Sequence, residues 1–95
     1  MNLQFFFLDG HFSSEDTAQG KKDVPLIEEL ISINNSFLYE SIIIIDDYRL
    51  FGTNLNENWL EITEENILHC LEGRVISNEI KDDRFIIYLK SKNKL

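Results

Sequence analysis

The sequence is poor in residues that several protein classes require. Cys70 is its only cysteine, so no intramolecular disulfide can form, and we expect a reducing, cytoplasmic location. Lys and Arg number 9 against 17 Asp and Glu, which gives a formal net charge of −8. Without a basic cluster to displace counterions from phosphates, a nucleic-acid partner is disfavoured, and so is an anionic membrane surface.

Long apolar runs and glycine-rich loops are missing as well. The apolar start, residues 1–8, is too short for a membrane span and lacks the basic residues of a secretory signal. The 4 glycines stand apart and no Gly-Lys-Ser/Thr loop occurs, so a self-contained phosphate-loop NTPase is excluded. With 43% hydrophobic and 12% aromatic residues in 95 positions, the chain is predicted to be one folded domain, residues 1–95.

Apolar runs predict four strands. Residues 3–8, stopped by Asp9, predict a buried strand. Ser41–Ile45 contains four consecutive isoleucines, a pattern typical of strands that are covered on both faces in parallel sheets. Residues 75–80 and 85–89 flank a polar turn and predict an antiparallel hairpin.

Two helices are predicted between these strands. The first spans residues 24–33, with Asp23 as its cap and Pro25 in its first turn. The second spans residues 64–72, capped by Thr63 and stopped by Gly73. Residues 11–22 and 48–61 are predicted to be irregular. The resulting order, β-α-β-α-β-β, predicts an α/β fold.

Acidic residues follow the first two strands. The roughly thirty residues between these strands suffice for a right-handed parallel crossover, and ligands of parallel sheets bind beyond the carboxyl ends of the strands. Asp9, Asp46 and Asp47 all fall there. Three close carboxylates favour protonation or a shared cation, and oxygen ligands suit Mg²⁺, Ca²⁺ or Mn²⁺. The alternative is that these acids only cap the loops that follow them.

Four further side chains are possible site residues. His11, two residues past Asp9, is a candidate proton acceptor or extra ligand, and equally a loop histidine with a backbone partner. For the others the structural interpretation is preferred. We expect His69 to be solvated, Cys70 to lie in the core, and Trp59 to anchor the long loop.

Several segments give the chain a resemblance to a known family. They are FLDGHFS at 7–13, KDVPL at 22–26, EEL at 28–30 and IIIDDYRLFG at 43–52, together with Thr17 and Gly20. Residues 5–52 are similar to the second half of class I S-adenosylmethionine-dependent methyltransferases, in a group related to the macrocin-type sugar O-methyltransferases. The rest matches only in element order and in the final antiparallel hairpin. The resemblance implies a partial Rossmann-like sheet with parallel strands.

The resemblance also implies roles for the acids. Asp9, Asp46 and Asp47 are expected to hold a divalent cation such as Mg²⁺, which orients the hydroxyls of a small-molecule acceptor, while Asp9 takes the proton. His11 stands where the metal-dependent enzymes have an acid and is therefore a second candidate base. The family binds S-adenosylmethionine at a first strand and a glycine-rich turn, which have no counterpart here. We therefore expect a fragment that is inactive alone.

The topology predicts a partner. Right-handed crossovers in one direction place both helices on one face of the sheet, which leaves the opposite face and the edge of the first strand bare. Bare apolar surfaces of this kind mark interfaces. We expect either a homodimer or a complex with a complementary N-terminal half chain. The alternative function is a non-catalytic α/β interaction module that pairs with another chain.

Overall fold

The computed structural model describes residues 3–10 and 24–92. Two helices and four strands follow one another along the chain in the predicted order β-α-β-α-β-β. They are β1 (Gln4–Leu8), α1 (Leu26–Ser36), β2 (Ser41–Ile45), α2 (Glu64–Cys70), β3 (Val75–Lys81) and β4 (Arg84–Leu89), with a short 3₁₀ helix at Tyr48–Leu50. None of the helices over these residues is long and apolar enough to cross a membrane.

The four strands form one mixed sheet in the order β1-β2-β4-β3. β1 and β2 are parallel, with Leu8 beside Ile45. β4 is antiparallel to β2 on one side and to β3 on the other. The predicted α/β class, parallel first pair and C-terminal hairpin are confirmed. The sequence did not predict that β4, the last strand, lies between β2 and β3.

A two-residue turn joins β3 to β4. Asp82 and Asp83 both have positive φ, 55° and 62°. Two consecutive left-handed residues match the twist of a hairpin, and aspartate tolerates this conformation better than most residues. The backbone N–H of Tyr48 donates to the carbonyl oxygen of Asp83 over 2.9 Å, so the turn is held against the chain that follows β2.

The core lies between one face of the sheet and both helices. The side chains of β2 and β4 that point to this face are fully or almost fully buried, and they pack in one cluster with the apolar residues of both helices. Phe6 and Leu8 of β1 are half-buried against this cluster. The strand members are Ile43, Ile45, Phe85, Ile87 and Leu89, and the helix members are Leu26, Leu30, Ile33 and Ile67. The prediction that both helices cover the same face is therefore confirmed.

The other face of the sheet, here the outer face, has no cover within residues 3–10 and 24–92. Phe5 and Phe7 of β1 are 64% and 56% exposed. The neighbouring side chains are half-buried and in register with them: Ile42 and Ile44 of β2, and Ile86 and Tyr88 of β4. The isoleucine run was expected to be covered on both faces, and in the described part of the chain it is covered on one.

The helix ends differ from the sequence prediction by a few residues. α1 begins at Leu26, with Pro25 in the cap position and no side-chain cap bond, and it continues through Ser36. The predicted cap Asp23 and the predicted loop 11–22 lie outside the described residues. At α2, the Thr63 hydroxyl accepts from the backbone N–H of Asn66 over 3.1 Å, which confirms the predicted cap.

Candidate functional site

β1 and β2 end side by side at the carboxyl end of the sheet. Leu8 and Ile45, the last residues of the two strands, are paired in the parallel register. Asp9 follows Leu8, and Asp46 follows Ile45. The backbone N–H of Asp46 donates to the Leu8 carbonyl oxygen over 2.9 Å. Because this bond continues the ladder past the end of β2, the two aspartates begin neighbouring connections, as the sequence predicted.

An arginine from β4 meets the first of the paired acids. The Nε atom of Arg84 lies 3.4 Å from Oδ1 of Asp46, and both side chains are partly exposed. The guanidinium also lies over the ring of Phe7, 5.4 Å from its centroid. Arg84 thus joins Asp46 to the outer face of the sheet, where a cation over an aromatic ring is favourable.

A second arginine meets Asp47. Asp47 is in the left-handed conformation, with φ 65° and ψ 43°. Its Oδ1 atom accepts from an Arg49 guanidinium nitrogen over 3.1 Å, and the same nitrogen donates to the Asp83 carboxylate. The backbone N–H of Arg49 donates to Asp83 over 2.8 Å. The side-chain bond to Asp83 and the negative charge of Asp83, followed by those of Asp47, raise the pKa of the Arg49 guanidinium.

The three aspartates do not form a ready ligand set. Within residues 3–10 and 24–92, no group of three His, Cys, Asp or Glu side chains is placed so that it could hold a metal ion. Asp9, Asp46 and Asp47 all belong to this part of the chain. The negative charge of Asp46 and Asp47 is met by Arg84 and Arg49 instead. A cation shared by all three would require these side chains to rearrange.

Asp9 lies within electrostatic reach of α1. The pKa of Glu29 is raised, first by burial, then by the charge of Asp9 and by that of Glu28. The charge at the end of β1 is therefore felt at the first turn of α1. His11, the other candidate base, lies outside the described residues.

Gly10 and Trp59 fix the end of β1. Gly10 has φ 73°, and a Cβ atom at this position would stand 2.9 Å from the ring of Trp59 and 3.2 Å from Val24. Trp59 is 1% exposed, and its ring stacks on Phe51 at 6.0 Å between centroids. The prediction that Trp59 anchors the long loop is confirmed, and the close approach of Gly10 explains why glycine fits there.

Two clefts formed by described residues lie next to Trp59 and Val24, which contact Gly10, and neither is lined by Asp9, Asp46 or Asp47. The larger, about 380 Å³, is lined by Arg49, Leu50, Thr53, Leu55, Asn56, Glu57 and Trp59. The smaller, about 150 Å³, is lined by Val24, Ile27, Glu28, Asn58, Glu61 and Ile62. The volume of the larger cleft falls within the range usual for small-molecule sites.

Sequence reasoning assigned no role to the two arginines. Arg49 lies within the segment that resembles the methyltransferases, but nothing in its spacing showed that it bridges Asp47 and Asp83. Arg84 was predicted as a turn residue. The strand order would have revealed the role of Arg84. When β4 lies beside β2, Arg84, the first residue of β4, comes next to Asp46.

His69 and Cys70 take no part in the site. The His69 side chain is 80% exposed and lies 3.4 Å from Glu72, as expected for a solvated histidine. Cys70 is half-buried and packs against the core, close to its predicted place. Burial raises the pKa of the Cys70 thiol, which disfavours a reactive thiolate.

Comparison of the chain with protein-family models, with curated proteins and with solved structures finds no match. The resemblance to methyltransferases therefore stays a prediction from the sequence.

Proposed function

We propose that this chain is the acceptor-side half of an O-methyltransferase-like domain that acts on a small, sugar-type hydroxylated molecule. The observation that supports it most is the placement of Asp9 and Asp46 at the ends of two paired parallel strands. Ligands of parallel sheets bind beyond such ends. A carboxylate within hydrogen-bond reach of an acceptor hydroxyl can take its proton, and Asp9 has this role in the proposal.

The larger cleft is the proposed acceptor site. Leu50, Leu55 and Trp59 give it an apolar lining, and Thr53, Glu57 and Arg49 add polar groups. Small-molecule sites usually combine an apolar wall with a few polar groups that orient the ligand. Arg49 connects this cleft to the site, since its guanidinium also contacts Asp47.

The methyl donor has no site among these residues. S-adenosylmethionine would supply the methyl group, but its binding needs a glycine-rich turn after a strand. The glycines of the sequence are isolated from one another. In this proposal the donor side is supplied by another chain segment, and we expect the 95-residue chain to be inactive alone. Calorimetric titration of the chain with S-adenosylmethionine is expected to show no micromolar binding, and such binding would contradict this placement within the fold.

Cation binding at the acids is tested by thermal unfolding. If Asp9, Asp46 and Asp47 share one site, Mg²⁺ or Mn²⁺ at ten times its dissociation constant stabilises the fold by about 1.4 kcal/mol, through binding to the folded state alone. That free energy corresponds to a rise of roughly 7 °C in Tm for a domain of this size. The variant Asp46→Asn should lose the rise. Glu40→Gln, which removes one exposed charge at the other end of β2, should keep it.

Equal rises in both variants would show nonspecific screening, and the cation part of the proposal would then fail.

A second function is supported by the arginines. Because Arg84 and Arg49 already satisfy Asp46 and Asp47, the acids can be structural, and the chain would then be a non-catalytic α/β interaction module. The coding sequence upstream of Met1 and the neighbouring genes discriminate between the two functions. A strand followed by Gly-x-Gly-x-Gly favours the enzyme, and its absence favours the module.

A further inference from the structure

The two edge strands of the sheet are built differently. β3 has an irregular register between Val75 and Ser77, and it carries the charged residues Glu79 and Lys81. Bulges and charged side chains are the features by which sheets prevent pairing at an edge. β1 has the sequence QFFFL, with no charge, no proline and a regular register. Among the described residues, one edge of the same sheet is thus protected and the other is not.

The backbone N–H and C=O groups of alternate residues in β1 point to opposite sides of the strand. Gln4 donates its N–H to Glu40, and the Leu8 carbonyl accepts from Asp46. In a parallel pair, alternate residues bond to the same neighbour, so Gln4, Phe6 and Leu8 bond to β2. The N–H and C=O groups of Phe5 and Phe7 therefore point to the open edge, where no strand pairs in the part of the chain that the structure describes.

The same two residues present their side chains to solvent. Phe5 and Phe7 are 64% and 56% exposed on the outer face. Open backbone groups and exposed phenyl rings thus coincide at one edge. Another extended chain satisfies both, because it pairs with the backbone and lays its own alternate side chains beside the rings.

We propose that β1 pairs antiparallel with β1 of a second copy of this chain, about a twofold axis at Phe6. Phe5 then lies opposite the partner subunit's Phe7 and Phe7 opposite the partner subunit's Phe5. Each of these is a hydrogen-bonded pair, so both use the backbone groups that β2 leaves open. The phenyl rings of the two copies become cross-strand neighbours on one face, an arrangement that stabilises antiparallel pairs.

A second copy fits this edge because the resulting dimer has no unprotected edge left. Twofold pairing uses both unprotected edges, and the ends of the joined eight-stranded sheet are two copies of β3, whose edges are protected. The net charge of −8 does not oppose the pairing locally, since β1 has no charged residue and Asp9 lies opposite Leu3 of the other copy. This inference does not rest on the proposed function. The dimer uses the β1 edge that a complementary N-terminal half chain would also need, so the two assemblies exclude each other.

Sedimentation equilibrium with two edge variants tests the proposal. Phe5→Lys places a charge on the unprotected edge, and Ile76→Lys places one on β3, where Ile76 is 62% exposed. We expect the parent chain to be a dimer across about 1–100 µM, Phe5→Lys to weaken dimerisation at least about tenfold, and Ile76→Lys to leave it unchanged. In the parent chain, the amide hydrogens of Phe5 and Phe7 should gain protection from exchange as concentration rises, while that of Phe6 is protected throughout.

Three results would overturn the proposal. A parent chain that stays monomeric at about 100 µM leaves the edge to a different chain. A dimer in which the Phe5 and Phe7 amides stay open packs through the outer face and not through β1. Equal loss of the dimer in both lysine variants places the interface elsewhere. The amide measurement needs no variant, so it decides even if Phe5→Lys fails to fold.

Discussion

Two arginines stand at opposite ends of the sheet in opposite surroundings. At the carboxyl end, the Arg84 side chain is 45% exposed and faces a carboxylate, Asp46, at 3.4 Å. At the amino end, Arg74 is 3% exposed. Its guanidinium donates over 3.0–3.1 Å to neutral oxygens: the carbonyls of Phe37, Tyr39 and Lys90 and the side-chain amide of Asn34.

The two arginines differ in how much they contribute to the stability of the fold. An exposed ion pair contributes at most about 1 kcal/mol, because water screens it and both side chains lose freedom. A buried guanidinium that joins three chain segments is costly to remove, because its acceptors are left without donors. Burial also lowers the pKa of Arg74. Arg74 therefore contributes to the stability of the fold, while the arginines at the carboxyl end can change partners at small cost.

The largest expected effect is at Arg74. Arg74→Met keeps an apolar stem and removes the guanidinium, so the acceptors around it lose their donor. We expect the free energy of unfolding to fall by about 3 kcal/mol, measured by urea denaturation. Arg84→Met, the matched change at the other end, should lower it by about 1 kcal/mol or less. Similar losses in the two variants would show that the two ends do not differ as described.

An effect of similar size is expected at Gly10, which tests packing at the carboxyl end. Gly10→Ala adds a Cβ atom 2.9 Å from the buried ring of Trp59, at a position with φ 73°. Strain and overlap together should lower the free energy of unfolding by about 3 kcal/mol. Gly52→Ala is the control, since Gly52 has φ 78° but nothing within 4 Å. The control should lose only the backbone part, about 1–2 kcal/mol. Equal losses of stability in Gly10→Ala and Gly52→Ala would mean that the Trp59 ring moves to make room for the added methyl group.

The smallest effect concerns pH. The pKa of Glu29 is raised in the folded chain, mainly by burial and then by Asp9. An acid with a raised pKa binds more protons in the folded than in the unfolded state, so its contribution lowers stability as the pH rises from about 4.5. Glu29→Gln should therefore raise Tm slightly at neutral pH and leave it unchanged well below pH 4.5. A variant less stable at neutral pH would contradict this sign.

The local pattern of apolar and polar residues was sufficient to predict the helices and strands. Strand β2 was predicted at its observed bounds, because an apolar run ended by two aspartates leaves little choice. α1 ends later than predicted because tertiary contacts favour its last turn. The Asn34 amide accepts from Arg74, and the Asn34 carbonyl accepts from Lys92 over 2.9 Å. No window of sequence around residues 34–36 contains this information.

The site was predictable as far as it depends on strand ends. Asp9 and Asp46 were expected at neighbouring ends, and the register places them there. Their surroundings were not predictable, because Arg84 and Asp83 arrive from a hairpin far along the chain. Whether β3 or β4 pairs with β2 decides which side chain meets Asp46. Local periodicity does not distinguish these strands, and so the arginine partner was missed.

The strand order also limits when the sheet can form during synthesis on the ribosome. β2 needs β4 as its second neighbour, yet roughly forty residues separate the two strands along the chain. At about 5–20 residues per second, β1 and β2 wait about 2–8 s for that neighbour to be synthesised. A two-stranded pair is marginal in water, so Phe5 to Phe7 and the isoleucines stay available to chaperones and proteases during this time. We expect a chain stopped before β4 to be degraded, not folded.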